Sequence, residues 1–406
     1  MNFDRIRELV WEQTFQSSKL SSVLVMLEEV GKFISGRTPK SDELASIGDI
    51  PYFKVGDMNT EGNEKVLRIT SLFLKEKAGK TFPAGAIVYP KNGGAVFTNK
   101  RRILATESVI DLNTGGFVCG ERLNQAYTYM FFCGLDFRKI SKGTALPTID
   151  QKKLHQTKIP VPSLEEQSRI VTRLGEAFAE IARAEKAYEE LQTLAGVLRG
   201  QILQEAIEGK LVPQLAEEGV VEQIGAAPEE VPFEIPEKWK WYYLGSVIEY
   251  GKSNQVSGDE ITSQTWVLDL EDIEKNTGRI LEKKRGVPST SNKNKFESGY
   301  VLYSKLRPYL NKVVVADEAG VCTTEIVPIN VNGASVPLDA KYLQTYLMSP
   351  FFVNYANQAS YGVKMPRLGT KDARAALIPI PPLEEQKRIV QKVVELLSQT
   401  DSLAGC

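Results

Sequence analysis

The sequence predicts an α+β fold in which two similar globular domains of mixed helices and strands are separated by long coiled-coil helices. A long proline-free run with a heptad pattern occupies the middle of the 406-residue chain, and short β-like runs lie on both sides of it. The two halves also repeat each other. A heptad helix between two β-rich regions is typical of a spacer. We therefore expect a globular domain followed by a helix, repeated once.

The central helix is predicted over residues 163–209, which contain no proline. Ser163 with Glu166 three residues later forms a capping-box signal, and Gly209 supplies the stop. Apolar residues at alternating spacings of four and three form the seam of a coiled coil. These residues are Ile170, Leu174, Ala177, Ile181, Ala184, Tyr188, Leu191, Ala195, Leu198 and Ile202.

An internal repeat relates the two halves of the chain. Residues 159–171 (IPVPSLEEQSRIV) align without gaps to 378–390 (IPIPPLEEQKRIV), with ten of thirteen positions identical at an offset of 378 − 159 = 219. The same offset pairs Gly143 with Gly362 and predicts a second helix seam. The seam residues of that second helix are Ile389, Val393, Leu396 and Leu403.

Composition changes along the chain place the boundaries of six segments. We predict an N-terminal helix over 1–19, a first globular domain over 20–157 and a central spacer helix over 158–212. An acidic, proline-containing linker follows over 213–237, then a second globular domain over 238–376 and a second spacer helix over 377–406.

Composition also excludes several classes of protein. The apolar fraction of 42% and charged fraction of 25% are those of a globular protein, and no apolar run reaches the roughly 18 residues that span a bilayer. The N-terminus lacks a signal-peptide core, so we expect a cytoplasmic protein. One histidine and four cysteines without CxxC spacing give no basis for a metal site, and no GxGxxG follows a strand. We expect no catalysis and no cofactor.

Positive charge is concentrated in two places. Residues 75–102 carry seven basic side chains and one acid, and residues 275–312 carry ten against two, whereas nine glutamates and one lysine lie between 205 and 237. Two basic patches on either side of an acidic linker predict two anion-binding surfaces.

The twin repeat segments, with LRGQILQEAIEGKLVPQ at 198–214 and PFEIPEKWKWYYLG at 232–245, resemble the specificity subunit of type I restriction–modification systems. The resemblance covers nearly the whole chain. It implies two target-recognition domains, each of which reads one half of a split double-stranded DNA target. It also implies an antiparallel, pseudo-twofold pair of spacer helices that sets the distance between the halves.

The resemblance further implies partners for the chain. Two modification subunits would bind the helical frame and carry the methyltransferase chemistry, and restriction subunits would join the full complex. S-adenosylmethionine, ATP and Mg would then be used by these partner subunits. The sequence departs from the family pattern because its second helix ends early, at Cys406, and because it has an additional N-terminal helix.

Candidate DNA-contact residues lie on loops that combine glycines, amides and basic side chains. In the first domain we predict Arg37, Lys91, Asn92, Asn99, Lys100, Arg101, Arg102 and Lys142. In the second domain we predict Lys252, Asn254, Lys305, Arg307, Tyr309, Asn311, Lys312 and Lys364. The alternation of Arg307, Tyr309 and Asn311 is compatible with one face of a strand.

Two other functions are compatible with the sequence. The chain could be a coiled-coil adaptor that binds only proteins. It could also be a metal-dependent nuclease in which Asp272 and the run 282–284 (EKK) form a D…ExK site, although the first domain has no counterpart. Loss of DNA binding on neutralising the basic loops would argue against the first, and magnesium-dependent cleavage by the isolated chain would support the second.

The N-terminal helix is a candidate for the missing end of the second spacer. Aligning Ile6-Arg7 with Leu198-Arg199 places Val10 on Ile202, Trp11 on Leu203 and Phe15 on Ile207. The chain would then be a circle opened inside one helix. Residues 389–403 would begin the second strand of the coiled coil, and residues 4–16 would finish it. The alternative is an independent N-terminal helix that caps the first domain.

This hypothesis predicts that the chain tolerates circular permutation. Joining Cys406 to Met1 by a short linker and opening the chain between Pro213 and Pro236 should leave a folded protein, because no helix would be interrupted. Circular dichroism and co-purification with the modification subunit would check this. An unfolded permutant would contradict the hypothesis.

Overall fold

The computed structural model describes residues 2–20, 22–75, 80–143, 146–286 and 291–404. The chain divides into two compact units, Met1–Ala187 and Tyr188–Cys406. Each unit contains mixed helices and strands, so the predicted α+β class and its internal duplication are confirmed. Among the described residues, no helix is long and apolar enough to cross a membrane.

The first unit is built from one long N-terminal helix, short strands and the first half of the central helix. Its helices are α1 Phe3–Leu20, α2 Leu27–Val30, α3 Gln125–Gly134, α4 Gln151–His155 and α5 Leu164–Ile207, the last of which continues into the second unit. Its strands are β1 Val23–Met26, β2 Gly31–Ser35, β3 Leu44–Ala45, β4 Ile50–Phe53, β5 Val66–Leu67, β6 Phe73–Leu74, β7 Ile87–Pro90, β8 Arg102–Leu104, β9 Val109–Ile110, β10 Thr114–Cys119, β11 Ser141–Lys142, β12 Thr148–Ile149 and β13 Lys158–Val161. Its 3₁₀ turns are Ser41–Glu43, Val55–Asn59 and Gly94–Thr98.

The second unit repeats this plan with different strand lengths. Its helices are α6 Leu244–Val247, α7 Ala340–Met348, α8 Pro350–Ala359, α9 Thr370–Ala375 and α10 Leu383–Ala404. Its strands are β14 Lys240–Tyr243, β15 Gln255–Val256, β16 Trp266–Leu268, β17 Lys284–Arg285, β18 Lys293–Phe296, β19 Val301–Ser304, β20 Val313–Val315, β21 Gly320–Thr323, β22 Ile326–Ile329 and β23 Leu377–Ile380. Its 3₁₀ turns are Gly258–Glu260, Leu270–Asp272, Pro308–Leu310 and Val331–Gly333.

Sheet topology shows which parts of the two units correspond. In the first unit the strand order β2-β10-β7-β8-β5 forms one sheet and β3-β6-β4-β9 another; in the second unit the orders are β15-β18-β21-β16-β17 and β20-β19-β22. In both units a central strand, β7 or β19, pairs antiparallel with the strand that follows it and with a later strand. Two-stranded pairs, β1 with β13 and β14 with β23, lead directly into α5 and α10.

A buried glutamine fastens each spacer helix to its domain. Gln167 Oε1 accepts from the backbone N–H of Asn124, the N-cap of α3, at 2.7 Å, and its amide donates to the carbonyls of Arg122 and Pro162, both at 2.9 Å. The amide oxygen and the amide nitrogen of Gln167 thus both form hydrogen bonds with main-chain atoms. The chain entering the spacer and the start of α3 are thus held by one side chain.

The same attachment recurs 219 residues later. Gln386 Oε1 accepts from the N–H of Asp339, the N-cap of α7, at 2.7 Å, and its amide donates to the carbonyls of Pro337 and Pro381, both at 2.9 Å. Both glutamines are fully buried. The two halves therefore share the repeat segment for a reason visible in the fold, because it forms the joint between helix and domain.

Within the first unit, α1 runs antiparallel to the first half of α5. Arg7 pairs with Glu185, while Phe15 shares a buried cluster with Ile170 and Leu174. Trp11 donates from its indole N–H to Met130 O at 2.9 Å, and it packs where Gly134 leaves room for the ring. The N-terminal helix is thus an integral part of the first unit.

Within the second unit, α10 runs antiparallel to the end of α5. Arg199 pairs with Asp401, and Arg388 donates to Pro213 O at 3.0 Å. Ile202 and Ile207 lie in one buried cluster with Ile389, Val393 and the helices of the domain, with Leu396 partly buried against it. The end of α5 packs in this unit against residues that correspond, at the offset of 219, to those that α1 packs against in the first. Met1 and Cys406, which the hypothesis of a circle brings together, lie outside the described residues.

The seam prediction needs correction at three positions. Leu191, Leu198 and Leu403 are 39%, 42% and 72% exposed. The Arg199–Asp401 pair lies at the last turn of α10, so Leu191 extends past the end of that helix, and Leu403 points to solvent. Ile181 and Tyr188 are half-buried. The heptad pattern therefore continues along the sequence beyond the residues that are buried between the helices.

Replacing the glutamine joint should loosen one unit at a time. Gln386→Ala leaves the Asp339 N–H and two carbonyls buried without partners, and each unsatisfied group costs about 1–3 kcal/mol. Hydrogen exchange read by mass spectrometry should show faster exchange at α7 and the start of α10. Gln167→Ala should do the same at α3 and the start of α5. The exposed Gln201→Ala is the control, and equal exchange in Q386A and Q201A would contradict this role.

Glu385 gives a pH-dependent prediction. Its side chain is fully buried beside Gln214 of the linker, and burial raises its pKa, with the charge of Glu218 adding to the rise and Arg388 opposing it. The folded state therefore holds its proton to higher pH than the unfolded state, so stability falls as pH rises through the folded pKa. Glu385→Gln should gain stability relative to the parent between pH 4 and pH 7, measured by urea denaturation. Glu166→Gln, at the half-exposed counterpart, should show no such gain; an identical pH profile for both variants would refute the assignment.

Candidate nucleic-acid interface

Two loops of the first unit form the candidate interface. We call residues 91–101, between β7 and β8, the first exit loop, and residues 141–149, containing β11 and β12, the first hairpin; residues 144 and 145 lie outside the described part. The hairpin is bonded to the exit loop through Gly93 N to Pro147 O at 2.8 Å and Ile149 N to Lys91 O at 2.9 Å. Gly143, at φ +80°, makes the hairpin turn in the left-handed region that glycine adopts readily.

The second unit builds the same arrangement. The second exit loop, 305–312 between β19 and β20, is bonded to the second hairpin, 360–367, through Arg307 N to Pro366 O at 2.7 Å. The adjacent bond runs from Leu368 N to Lys305 O at 3.0 Å. Gly362, at φ +94°, occupies the place of Gly143. The predicted repeat thus extends to individual main-chain hydrogen bonds.

The second exit loop is a turn rather than a strand, which corrects one expectation. Arg307 and Asn311 are both left-handed, at φ +51° and +47°, and Pro308–Leu310 between them is a 3₁₀ turn. Pro308 cannot donate to a ladder, and left-handed residues cannot continue an extended chain. Arg307, Tyr309 and Asn311 therefore do not share one face of a strand.

Two predicted DNA-contact arginines lie in the interior. Arg101 is 2% exposed; its guanidinium lies 3.6 Å above the ring of Phe137 and donates to Leu135 O, and burial lowers its pKa to about 10. Arg102 is 9% exposed and donates to Met58 O at 2.7 Å. Their donors are used to satisfy main-chain carbonyls around the exit loop. The basic triplet therefore presents Lys100 alone near the surface.

Three further predicted residues hold the loops in shape. Asn99 is left-handed at φ +51°, and its Oδ1 accepts from Phe137 N at 3.0 Å. Asn311 donates to Met348 O at 2.9 Å, and Lys312 donates to Leu270 O at 2.6 Å. Burial lowers the pKa of Lys312. Each exit loop therefore contains, near its end, a left-handed asparagine whose side chain is anchored to the domain.

The remaining candidates are more accessible. Lys142, with a side chain 71% exposed, pairs with Asp150 at 2.8 Å and lowers the pKa of that carboxyl. Lys364 and Asn254 are exposed, Tyr309 is 50% exposed, and Lys100 and Lys305 are half-exposed. The four loop segments contain no acidic residue of their own. This makes each loop pair a locally positive surface suited to phosphates.

Of the last four candidates, Lys91 and Asn92 begin the first exit loop, whereas Arg37 and Lys252 lie outside the loop pairs. Lys91 is half-buried and burial lowers its pKa, while Asn92 donates to Asn113 Oδ1 at 3.3 Å. Arg37 is half-buried and pairs with Glu43 at 3.2 Å. Lys252 pairs with Glu249 at 2.8 Å on the surface of the second unit. The Arg37–Glu43 and Lys252–Glu249 ion pairs are both accessible to solvent. The positive charges of Arg37 and Lys252 are therefore only partly neutralised by these carboxylates.

Sequence reasoning found Tyr309 but overlooked three other large apolar residues of the loop pairs. Phe97 is 44% exposed in the first exit loop, at the position of Tyr309 in the second. Leu146, 78% exposed, and Met365, 44% exposed, occupy matching places in the hairpins. The offset of 219 aligns Leu146 with Met365, so the internal repeat already indicates that the two hairpins share an apolar residue. Charge and amide content do not indicate it.

The residues proposed for a nuclease site serve another purpose. Asp272 is 2% exposed and lies 2.6 Å from Lys284 Nζ, and its other oxygen accepts from Asp269 N at 2.8 Å. Lys283 pairs with Asp317 at 2.7 Å. In the described ranges, no group of three or more His, Cys, Asp or Glu side chains is placed to hold a metal ion. Asp272, Lys283 and Lys284 of the D…ExK pattern therefore take part in ion pairs beside or within β17.

A family model and curated relatives agree on the family that this chain resembles. The family described as type I restriction modification DNA specificity domain matches twice, at residues 22–193 and 236–404. The EcoDI specificity subunit of Escherichia coli is 28% identical over 279 residues, which is 64% of this chain and 60% of that subunit. The MjaIX specificity subunit of Methanocaldococcus jannaschii is 24% identical over 416 residues, covering 95% of this chain and 90% of that subunit.

Solved structures agree in fold. A chain from work on complex assembly and conformational transition of the type I R-M system has a TM-score of 0.67 at 18% identity, covering 94% of this chain and 91% of that one. The HsdS subunit from Thermoanaerobacter tengcongensis has a TM-score of 0.55 at 18% identity, covering 94% and 90%. The two family matches fall on the two units that carry the loop pairs, and the chain therefore belongs to the type I restriction modification DNA specificity domain family.

Proposed function

We propose that this chain is the DNA sequence-recognition subunit of a type I restriction–modification complex. Each globular domain reads one half of a bipartite double-stranded DNA target through its loop pair. The spacer helices set the distance between the halves and dock two modification subunits, and restriction subunits join the complex for cleavage. The chain itself carries no catalytic site and acts in the cytoplasm, where DNA and these partners are found.

One observation carries this proposal: the same loop pair, held by the same main-chain bonds, occurs once in each unit. A bipartite target requires two reading surfaces of similar architecture and different side chains. The loop pairs meet that requirement, because the same main-chain bonds tie exit loop to hairpin in both units while Gly93 and Arg307, or Asn92 and Leu306, differ at equivalent places. A protein-only adaptor would not need two duplicated basic loop pairs.

The proposal also assigns the chemistry to other subunits. S-adenosylmethionine, ATP and Mg are used by the modification and restriction partners, and this chain binds none of them. Its contribution is to place the methyltransferase over the correct base by holding the target at a fixed position and register. Contacts to phosphates supply affinity and register, whereas contacts to base edges supply specificity.

Neutralising the accessible lysines should reduce the salt dependence of DNA binding. Lys100→Gln with Lys142→Gln in the first unit, or Lys305→Gln with Lys364→Gln in the second, should flatten the slope of log K against log salt by up to about 0.9 for each phosphate that is no longer neutralised. Fluorescence anisotropy of the assembled methyltransferase complex over a series of salt concentrations measures this. Lys65→Gln with Lys341→Gln, at exposed positions outside the loop pairs and the spacer helices, is the charge-matched control. An unchanged slope in both loop variants would favour the protein-only adaptor.

The complete proposal is tested by the methylation pattern. Cells that express this chain with its modification subunits should methylate one bipartite sequence, read by single-molecule sequencing. The purified chain with S-adenosylmethionine, ATP and Mg²⁺ should neither methylate nor cut DNA. A continuous target without a central gap, or turnover by the chain alone, would refute the proposal.

A further inference from the structure

Each loop pair exposes two large apolar side chains at equivalent places. Phe97 and Tyr309 lie two residues before the left-handed asparagine of their exit loop, and are 44% and 50% exposed. Leu146 and Met365 precede the hairpin prolines that accept from the exit loops, and are 78% and 44% exposed. Scattered exposed apolar residues are ordinary on protein surfaces, but recurrence at matched positions of two diverged domains requires a common cause.

The backbone beneath these side chains is fixed. The 3₁₀ turns that carry Phe97 and Tyr309 are closed by Asn99 N to Val96 O at 3.3 Å and by Asn311 N to Pro308 O at 2.9 Å. Both asparagines are anchored to the domain by their side chains. Phe97 and Tyr309 are thus presented on turns held by these bonds, and binding through them costs little ordering of the exit loops.

The charge around them indicates the occupant. Lysines flank the apolar residues on both loops of each unit: Lys100 and Lys142 in the first, Lys305 and Lys364 in the second. A protein partner of ordinary composition has no need for apolar side chains with a lysine on each of the two loops, whereas DNA offers phosphates at the rim of a groove and apolar base surfaces inside it. Thymine methyl groups and base faces are the apolar parts of a duplex.

We propose that Phe97 with Leu146, and Tyr309 with Met365, are specificity-determining residues that make apolar contacts with the bases of their half-targets while the flanking lysines hold the phosphates. This inference rests on the proposed function and assigns a role within the same surface. Each domain would then separate two tasks between neighbouring side chains, with affinity carried by charge and discrimination by apolar contact.

The two tasks predict different signatures for substitutions. Phe97→Ala should weaken cognate DNA binding by roughly 5- to 150-fold, the range for removal of one base contact. Because counterion release is unaffected, the salt slope should stay at the parent value, in contrast to the lysine variants. The affinity ratio between the cognate site and one altered in the first half should fall, while discrimination at the second half should persist. Tyr309→Ala should give the mirror result, and Tyr309→Phe should restore it.

The experiment uses the assembled methyltransferase complex and a bipartite duplex identified from the methylation pattern. Anisotropy titrations compare F97A, Y309A and Y309F with Ile47→Ala and Leu281→Ala, two controls that remove exposed apolar residues, 86% and 62% exposed, outside the loop pairs. Thermal denaturation checks that each variant is folded, as expected for exposed positions. The controls should keep both affinity and discrimination.

The outcomes separate this inference from the proposed function. If the parent complex shows no sequence-specific binding, the proposed function fails. If the parent complex reads both halves and F97A and Y309A keep its affinity and discrimination, the inference alone is overturned. A reduced salt slope, or equal weakening at both halves, would also overturn it. Failure of the modification subunits to assemble with F97A or Y309A in size-exclusion chromatography would assign these residues to a protein partner instead.

Discussion

The joint between helix and domain, made by one buried glutamine in each half, is the constraint on which the rest of the structure depends. Gln167 and Gln386 each bind three main-chain groups, one of which belongs to the N-cap residue of a domain helix, α3 or α7. Tyr127 and Tyr342 add a second tie, because their hydroxyls donate to the carbonyls of Pro160 and Pro379 at 2.8 and 2.7 Å. Because each glutamine bonds to main-chain atoms, the joint does not depend on which side chains surround it. Two domains whose sequences have diverged can therefore keep the same joint.

The surroundings of this joint differ between the units in one respect. In the second unit the acidic linker covers the start of α10, where Arg388 pairs with Glu218 at 2.6 Å and Glu385 is fully buried. In the first unit the corresponding Arg169 bonds to glutamates of its own helix at the surface. A buried carboxyl with a raised pKa lowers stability at neutral pH, so the linker contacts must compensate for it. The linker is therefore part of the second unit's structure as well as a connection.

Sequence patterns predicted the fold well because repeats, heptads and turn residues act locally. They placed α5 within a few residues and aligned Gly143 with Gly362, which the structure shows in the same left-handed turn. They failed where burial decides: Arg101 and Arg102 look like surface residues in a basic triplet, yet each satisfies carbonyls inside the domain. The prediction that Leu191 packs in the helix seam was wrong, because heptad spacing shows which face of a helix is apolar but not where the partner helix ends. Exposure of Phe97 likewise depends on the turn after β7, which composition does not specify.

The loop pairs show how a fixed frame accommodates two different readings. Their path is set by main-chain bonds such as Gly93 N to Pro147 O and Arg307 N to Pro366 O, which any side chain permits. Arg307 adopts a positive φ at the place where the first unit has Gly93. For a residue with a Cβ atom, a left-handed backbone costs roughly 1–2 kcal/mol. A strained arginine persists in such a place only when the surrounding bonds determine the backbone. Because geometry resides in the main chain, the side chains on these loops are left to differ, and it is their difference that would distinguish one half-target from the other.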